Sequence, residues 1–253
     1  MRNLWTRRIV GATAFVGLAA WSLSAKEVNP LPEGGSVAVG AADIAFLQKG
    51  LAKTPVPREI PTLKAVAMLV ALNAQHQMDG KDGAKMAGLR DAALAVAAAV
   101  GKKDFAAAKA AAAGLADIKP ASDAKPVKLD ELITAHKFDL DQLMSSFRKG
   151  TVGGLNLEAD VKAMSKAVTD PKAAAVTAGR IALIGEYTLA LPPEGIDADK
   201  KKKWDAWSKE MTTLAVDVSK EAAKGPAADK AKMAKGFYNL DANCNACHTA
   251  FRN

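Results

Sequence analysis

Cysteine and histidine are scarce in this 253-residue chain, which has two of the first and three of the second. A disulfide framework is thereby excluded, because a bridge between Cys244 and Cys247 would close too short a loop to stabilise much. A structural zinc site usually draws four ligands in two close pairs. Besides His248 the chain offers only His76 and His136, far apart in sequence and with no second cysteine pair. Aromatic residues make up only 5% of the chain, and strand signals are hard to find. Acidic residues are outnumbered, 27 against 35 lysines and arginines, for a formal charge of +8.

What is abundant is alanine. The run 106–113 consists of strong helix formers with no β-branched residue among them. The first 25 residues differ: Arg2, Arg7 and Arg8 precede an apolar run over 9–23 that closes on Ser24 and Ala25. That is a secretory signal pattern, residues 1–25, and the run falls short of the ~20 residues a membrane-spanning helix needs. An uncleaved N-terminal anchor, with membrane contact, is the alternative. Export places the mature chain in the periplasm or another exported location. Removing the leader takes away three arginines and no acid, lowering the formal charge from +8 to +5. That balance suits an acidic partner or an anionic surface without demanding either, and an exported chain is not expected to meet nucleic acid.

After an arm over 26–40 rich in Pro, Gly and Glu, helices are expected over 42–52, 61–76, 81–100 and 104–116. Breaks come from Pro55, Pro57, Gly80, Gly83, Gly101 and Pro120. A linker over 119–127 leads to a second set, at 129–148, 157–167, 171–189, 198–223 and 227–251. Apolar residues recur at helical spacing, as in Leu132, Ile133, Leu140, Leu143, Met144 and Phe147, giving one buried stripe per helix. The expected fold is all-α: two up-down-up-down four-helix bundles in tandem, 40–120 and 128–253, or one extended helical array. A short echo between the segments beginning at Asp43 and at Asp139, and another between Leu94-Ala95-Val96 and Leu214-Ala215-Val216, suggests duplication.

Cys244-Asn245-Ala246-Cys247-His248 is a c-type haem attachment sequence. On a helix the two sulfurs lie on neighbouring faces, able to bond the two vinyl groups on one porphyrin edge, and His248 follows Cys244 by one turn as the proximal iron ligand. A thioredoxin-type dithiol, by contrast, opens a helix in a βαβ setting. Only five residues follow the motif, none of them Met, so a sixth ligand has to come from upstream.

A C-terminal attachment motif followed by Phe251-Arg252, together with Leu143-Met144-Ser145-Ser146-Phe147 as a first-helix segment, resembles the cytochrome c prime family over about residues 128–253. Residues 40–120 share only the helical pattern and carry no cysteine, so that half would hold no covalent haem. The resemblance implies one covalent haem c held by Cys244, Cys247 and His248, with Met144 at the position that ligates iron in low-spin members and packs on the ring in others. His136, eight residues before Met144, is the rival ligand, and an empty sixth position is the third case. Arg252 matches a basic residue that lies over the imidazole or reaches a propionate. Phe237, Tyr238, Leu240, Trp204 and Trp207 are candidate pocket walls, Lys200, Lys201, Lys202 and Lys203 a candidate docking patch, and His76 is expected to be solvated. The function implied is non-enzymatic electron transfer with a redox partner protein. A five-coordinate protein binding NO or CO is the alternative, and a homodimer is compatible with either.

Overall fold

The computed structural model describes residues 31–121, 127–136 and 139–251. The leader, Arg252 and most of the expected linker lie outside the described residues. Among the described residues the chain forms ten α-helices and no strand, as an alanine-rich, aromatic-poor sequence requires.

The first four helices are α1 (Glu33–Leu51), α2 (Ile60–His76), α3 (Gly83–Gly101) and α4 (Phe105–Ala113), the last continued by a 3-10 turn. Each packs on the next, and α1 closes the ring on α4. Helix α1 begins well before the expected position 42. The arm over 26–40, expected to be irregular for its Pro, Gly and Glu, is helical from Glu33 in its described part, and Gly35 and Gly40 sit at close helix crossings. A Cβ on Gly35 would stand 2.6 Å from the Ser219 hydroxyl, and one on Gly40 would stand 3.1 Å from the Asn73 amide. Packing gained by close approach outweighs the roughly 1 kcal/mol that a helical glycine costs.

The expected helix over 129–148 is interrupted. It divides into α5 (Leu129–Ala135) and α6 (Leu140–Met144), with a 3-10 turn over Ser145–Phe147. Asp139 ends the continuity, because its carboxylate accepts from the Gln142 backbone N–H at 2.8 Å and from the Gln142 side chain at 2.8 Å, an N-cap that starts a new helix. Helices α7 (Leu157–Met164), α8 (Pro171–Ala190), α9 (Ala198–Ala222) and α10 (Lys230–Phe251) complete the chain. These four form a second ring, α7 on α8, α8 on α9, α9 on α10 and α10 back on α7. Asp170, Asp197 and Asp229 cap α8, α9 and α10 by accepting from the backbone N–H of Lys172, Lys200 and Lys232.

The rings share one continuous apolar core. Helix α2 is buried at nearly every position from Thr62 to Gln75, because α1 and α3 cover one side while α6 and α8 cover the other. Two polar pairs tie the halves together across α8. Asp43 of α1, fully buried, accepts from Arg180 of α8 at 2.6–2.7 Å. His76, at the end of α2, lies 2.5 Å from Glu186 of α8 with its side chain only 3% exposed. His76 is therefore not solvated as expected. Its partner lies 110 residues away in sequence, so the pattern around His76 could not announce it.

The echoing segments occupy different settings: Asp43 lies inside α1, whereas Asp139 caps α6. Ala95 is exposed on α3, whereas Ala215 is buried on α9.

Candidate functional site

Along the last helix Met233, Phe237, Leu240, Cys244, Cys247 and Phe251, buried or half-buried, follow one another at alternating steps of four and three. This is the seam of an antiparallel helix pair, and both cysteines occupy seam positions. Helix α9 presents the matching seam of Trp204, Ser208, Met211, Ala215, Val218 and Ala222. Three contacts fix the register. A Cβ on Gly236 would meet Val218 at 2.3 Å, Asn243 donates to Glu210 at 3.0 Å, and Phe251 meets Trp204.

Burial changes along that seam. Met233, Phe237 and Leu240 are fully buried, whereas Cys244, Cys247 and Phe251 are half-buried. The apolar face of α10 thus emerges from the core where the cysteines begin, leaving a partly uncovered hydrophobic strip. His248 flanks it on the solvent side and is exposed. Aromatic rings form the strip's far wall: Phe251 stands edge-on to Trp204 at 5.2 Å and to Trp207 at 5.8 Å. Trp204 is held in place by its indole N–H, which donates to the Thr188 carbonyl of α8 at 2.7 Å.

The electrostatics of the two thiols follow from this setting. Burial, with Asp241 and Cys247 close by, pushes the Cys244 thiol up to about 11, and burial also raises Cys247. Both lie toward the negative end of the α10 dipole, which also disfavours a thiolate. Neither is in a disulfide. A redox dithiol or a thiolate metal site needs the opposite environment, electropositive and usually at a helix N-terminus. Among the described residues no cluster of three or more His, Cys, Asp or Glu side chains is gathered to hold a metal ion. What this end of α10 presents is two half-buried thiols about one turn apart in an apolar strip, with the exposed His248 imidazole beside them, an arrangement that could hold a flat, largely apolar group.

The other expected residues divide. Trp204 and Trp207 stand at the site, while Phe237 and Leu240 lie deeper in the same seam. Tyr238 turns away, 57% exposed with the Lys235 ammonium 4.6 Å from its ring centroid, so it is no pocket wall. Met144 is half-buried at the end of α6, which packs chiefly on α2. His136 follows the end of α5, before the break, so His136 and Met144 do not share the one helix expected over 129–148. Arg252 lies outside the described residues. Lys200, Lys201, Lys202 and Lys203 are exposed or nearly so at the start of α9, with Lys201 paired to Asp205 at 2.7 Å. The sequence reading missed the seam register of the cysteines, although the alternating four-and-three spacing is legible without a structure. No helix among the described residues is long and apolar enough to cross a membrane. Comparison of the chain with protein-family models, curated proteins and solved structures finds no match.

Proposed function

We propose that this chain is an exported mono-haem c-type cytochrome that transfers electrons. The observation that carries the reading is the coincidence of Cys244-Asn245-Ala246-Cys247-His248 with the point where the α10 seam leaves the core beside Trp204, Trp207 and Phe251. Cys244 and Cys247 would hold haem c covalently, and His248 would supply the proximal nitrogen. A bound haem would provide one-electron chemistry, cycling between ferric and ferrous iron. The protein's share is orientation and exclusion of water. The capped, seam-packed α10 fixes both sulfurs one turn apart, and the indole of Trp204, pinned to Thr188, keeps one wall rigid and dry.

Met144 is the proposed sixth ligand, through its thioether. The packing of α6 on α2 favours a second reading, in which Met144 stays in the core and the open iron binds NO or CO. Optical and resonance Raman spectra of the purified protein separate the two. A six-coordinate low-spin spectrum lost in Met144→Ala supports ligation and electron transfer. A five-coordinate, high-spin ferrous form that takes up CO in the unaltered protein refutes ligation and selects the gas-binding reading.

A further inference from the structure

A cavity of about 390 Å³ opens at the junction of the two rings, where the end of α1, the first turn of α2, the glycine-bearing loop before α7 and the middle of α8 meet. Phe46, Leu63 and Leu155 give it an apolar floor, with Leu63 only 2% and Leu155 only 7% exposed. Lys49, Lys53 and Arg180 supply three cations to its lining against one acid, Glu59. Junctions between packed units are favoured places for small-molecule sites, and this volume lies within the ~300–1,000 Å³ such sites occupy.

Arg180 makes the cavity more than a crevice. Its side chain is 11% exposed, and it is held by Asp43, whose single oxygen Oδ1 receives both Nε and Nη2 at 2.6–2.7 Å. The remaining nitrogen, Nη1, makes no hydrogen bond among the described residues. The half-buried Asp160 also feels the Arg180 charge, so the guanidinium is held among two carboxylates and draws on Lys49 and Lys53 for the excess positive charge; with one donor edge left beside an apolar cleft it is pre-organised to receive an oxyanion. Lys53 is shared with Glu59 at 3.3 Å, and Lys49 has no ion pair among the described residues. The loop before α7 lines another side. Gly153 adopts φ +88°, and a Cβ there would stand 2.6 Å from the Arg58 carbonyl oxygen, so this position admits glycine only. Asn156 also holds a left-handed conformation, φ 63°, and its Oδ1 accepts from the Gly150 N–H at 2.6 Å, which fixes that wall.

We infer that this cleft binds a small amphipathic anion, with a carboxylate head on Arg180, Lys49 and Lys53 and a short apolar stem over Phe46, Leu63 and Leu155. Nothing in this inference depends on haem.

The test titrates the full-length purified protein, at low ionic strength, with hexanoate, hexanol and inorganic phosphate, followed by amide chemical shifts and calorimetry. Hexanoate is expected to saturate and to shift the amides of Gly150, Gly153 and Gly154. Hexanol, lacking the charge, and phosphate, lacking the stem, should each bind about tenfold more weakly, the factor expected for one charge-assisted contact or one buried stem. Arg180→Lys should weaken hexanoate, but Asp43 depends on that residue and the variant could unfold. The double variant Lys49→Gln/Lys53→Gln changes only exposed side chains, and it should weaken hexanoate several-fold with an unchanged circular dichroism spectrum. Saturable hexanoate binding unaffected by that double variant overturns the proposal. So does phosphate binding as tight as hexanoate, or no binding at millimolar concentration.

Discussion

The Asp43–Arg180 pair offers the sharpest test of how the two rings are joined. Asp43 is fully buried, Arg180 nearly so, and the second carboxylate oxygen of Asp43 has no hydrogen-bond partner among the described residues. Removing one member of a buried pair strands the other charge, which costs ~3–5 kcal/mol, whereas replacing both with apolar residues of similar volume is near neutral. Arg180→Met should therefore lower stability by that amount, a fall of roughly 10 °C in Tm for a chain of this length. Asp43→Leu should do the same, and Asp43→Leu/Arg180→Met should recover most of the loss in urea titrations.

The pair also has a pH signature. Burial raises Asp43 to about 6, against an ordinary 3.8, despite the opposing pull of Arg180. The folded state then keeps a proton that the unfolded chain has released. This group's contribution to stability is complete below about pH 4 and is lost as pH rises through about 6. The double variant should lack that slope. Additive single-variant losses, or a Tm unmoved by Arg180→Met, would refute the coupling of α1 to α8 through this pair.

Glu221 predicts the opposite slope. Lys224, Lys232 and the Asp229 N–H converge on its carboxylate at 2.8–3.0 Å and lower it to about 2, so its stabilisation is complete above about 4.5 and fades as pH falls toward 2. Acid unfolding of Glu221→Gln should be less steep across that window than that of the unaltered protein, and matching profiles would contradict it. Gly236→Ala tests the α9–α10 seam. Alanine gains up to about 1 kcal/mol in helix propensity, but its Cβ would stand 2.3 Å from a Val218 methyl, and overpacking costs ~1–3 kcal/mol. Net destabilisation, relieved by Val218→Ala, is expected in thermal melts, and a simple gain in Tm would show that the seam is looser than described.

How much the sequence revealed depended on the range of the forces involved. Helices α2, α8, α9 and α10 are announced by local chemistry: Pro61 and Pro171 at helix starts, Asp197 at an N-cap, and Gly225-Pro226 at a break. The break before α6 was equally local, with Asp139 three residues ahead of Gln142, yet the apolar stripe running through Leu132, Leu140 and Met144 masked it. The start of α1 at Glu33 was hidden for a different reason. Gly35 and Gly40 argue against helix until Ser219 and Asn73, far along the chain, demand close approach. The same long range concealed the burial of His76 by Glu186. At the candidate site the Cys244-Asn245-Ala246-Cys247-His248 motif is a local pattern and legible, and the seam register that carries both cysteines is equally local although it was missed. The placement of α6 on α2, which decides what faces Met144, was not.

The central claim is that Cys244 and Cys247 hold one haem covalently. Expressed with c-type haem maturation machinery, the chain should run on a denaturing gel as a haem-staining band whose mass exceeds that of the polypeptide by one haem. Cys244→Ser/Cys247→Ser should retain its helical circular dichroism and lose both signals. A stain and added mass that survive the double substitution, or their absence from the unaltered chain, would contradict the account.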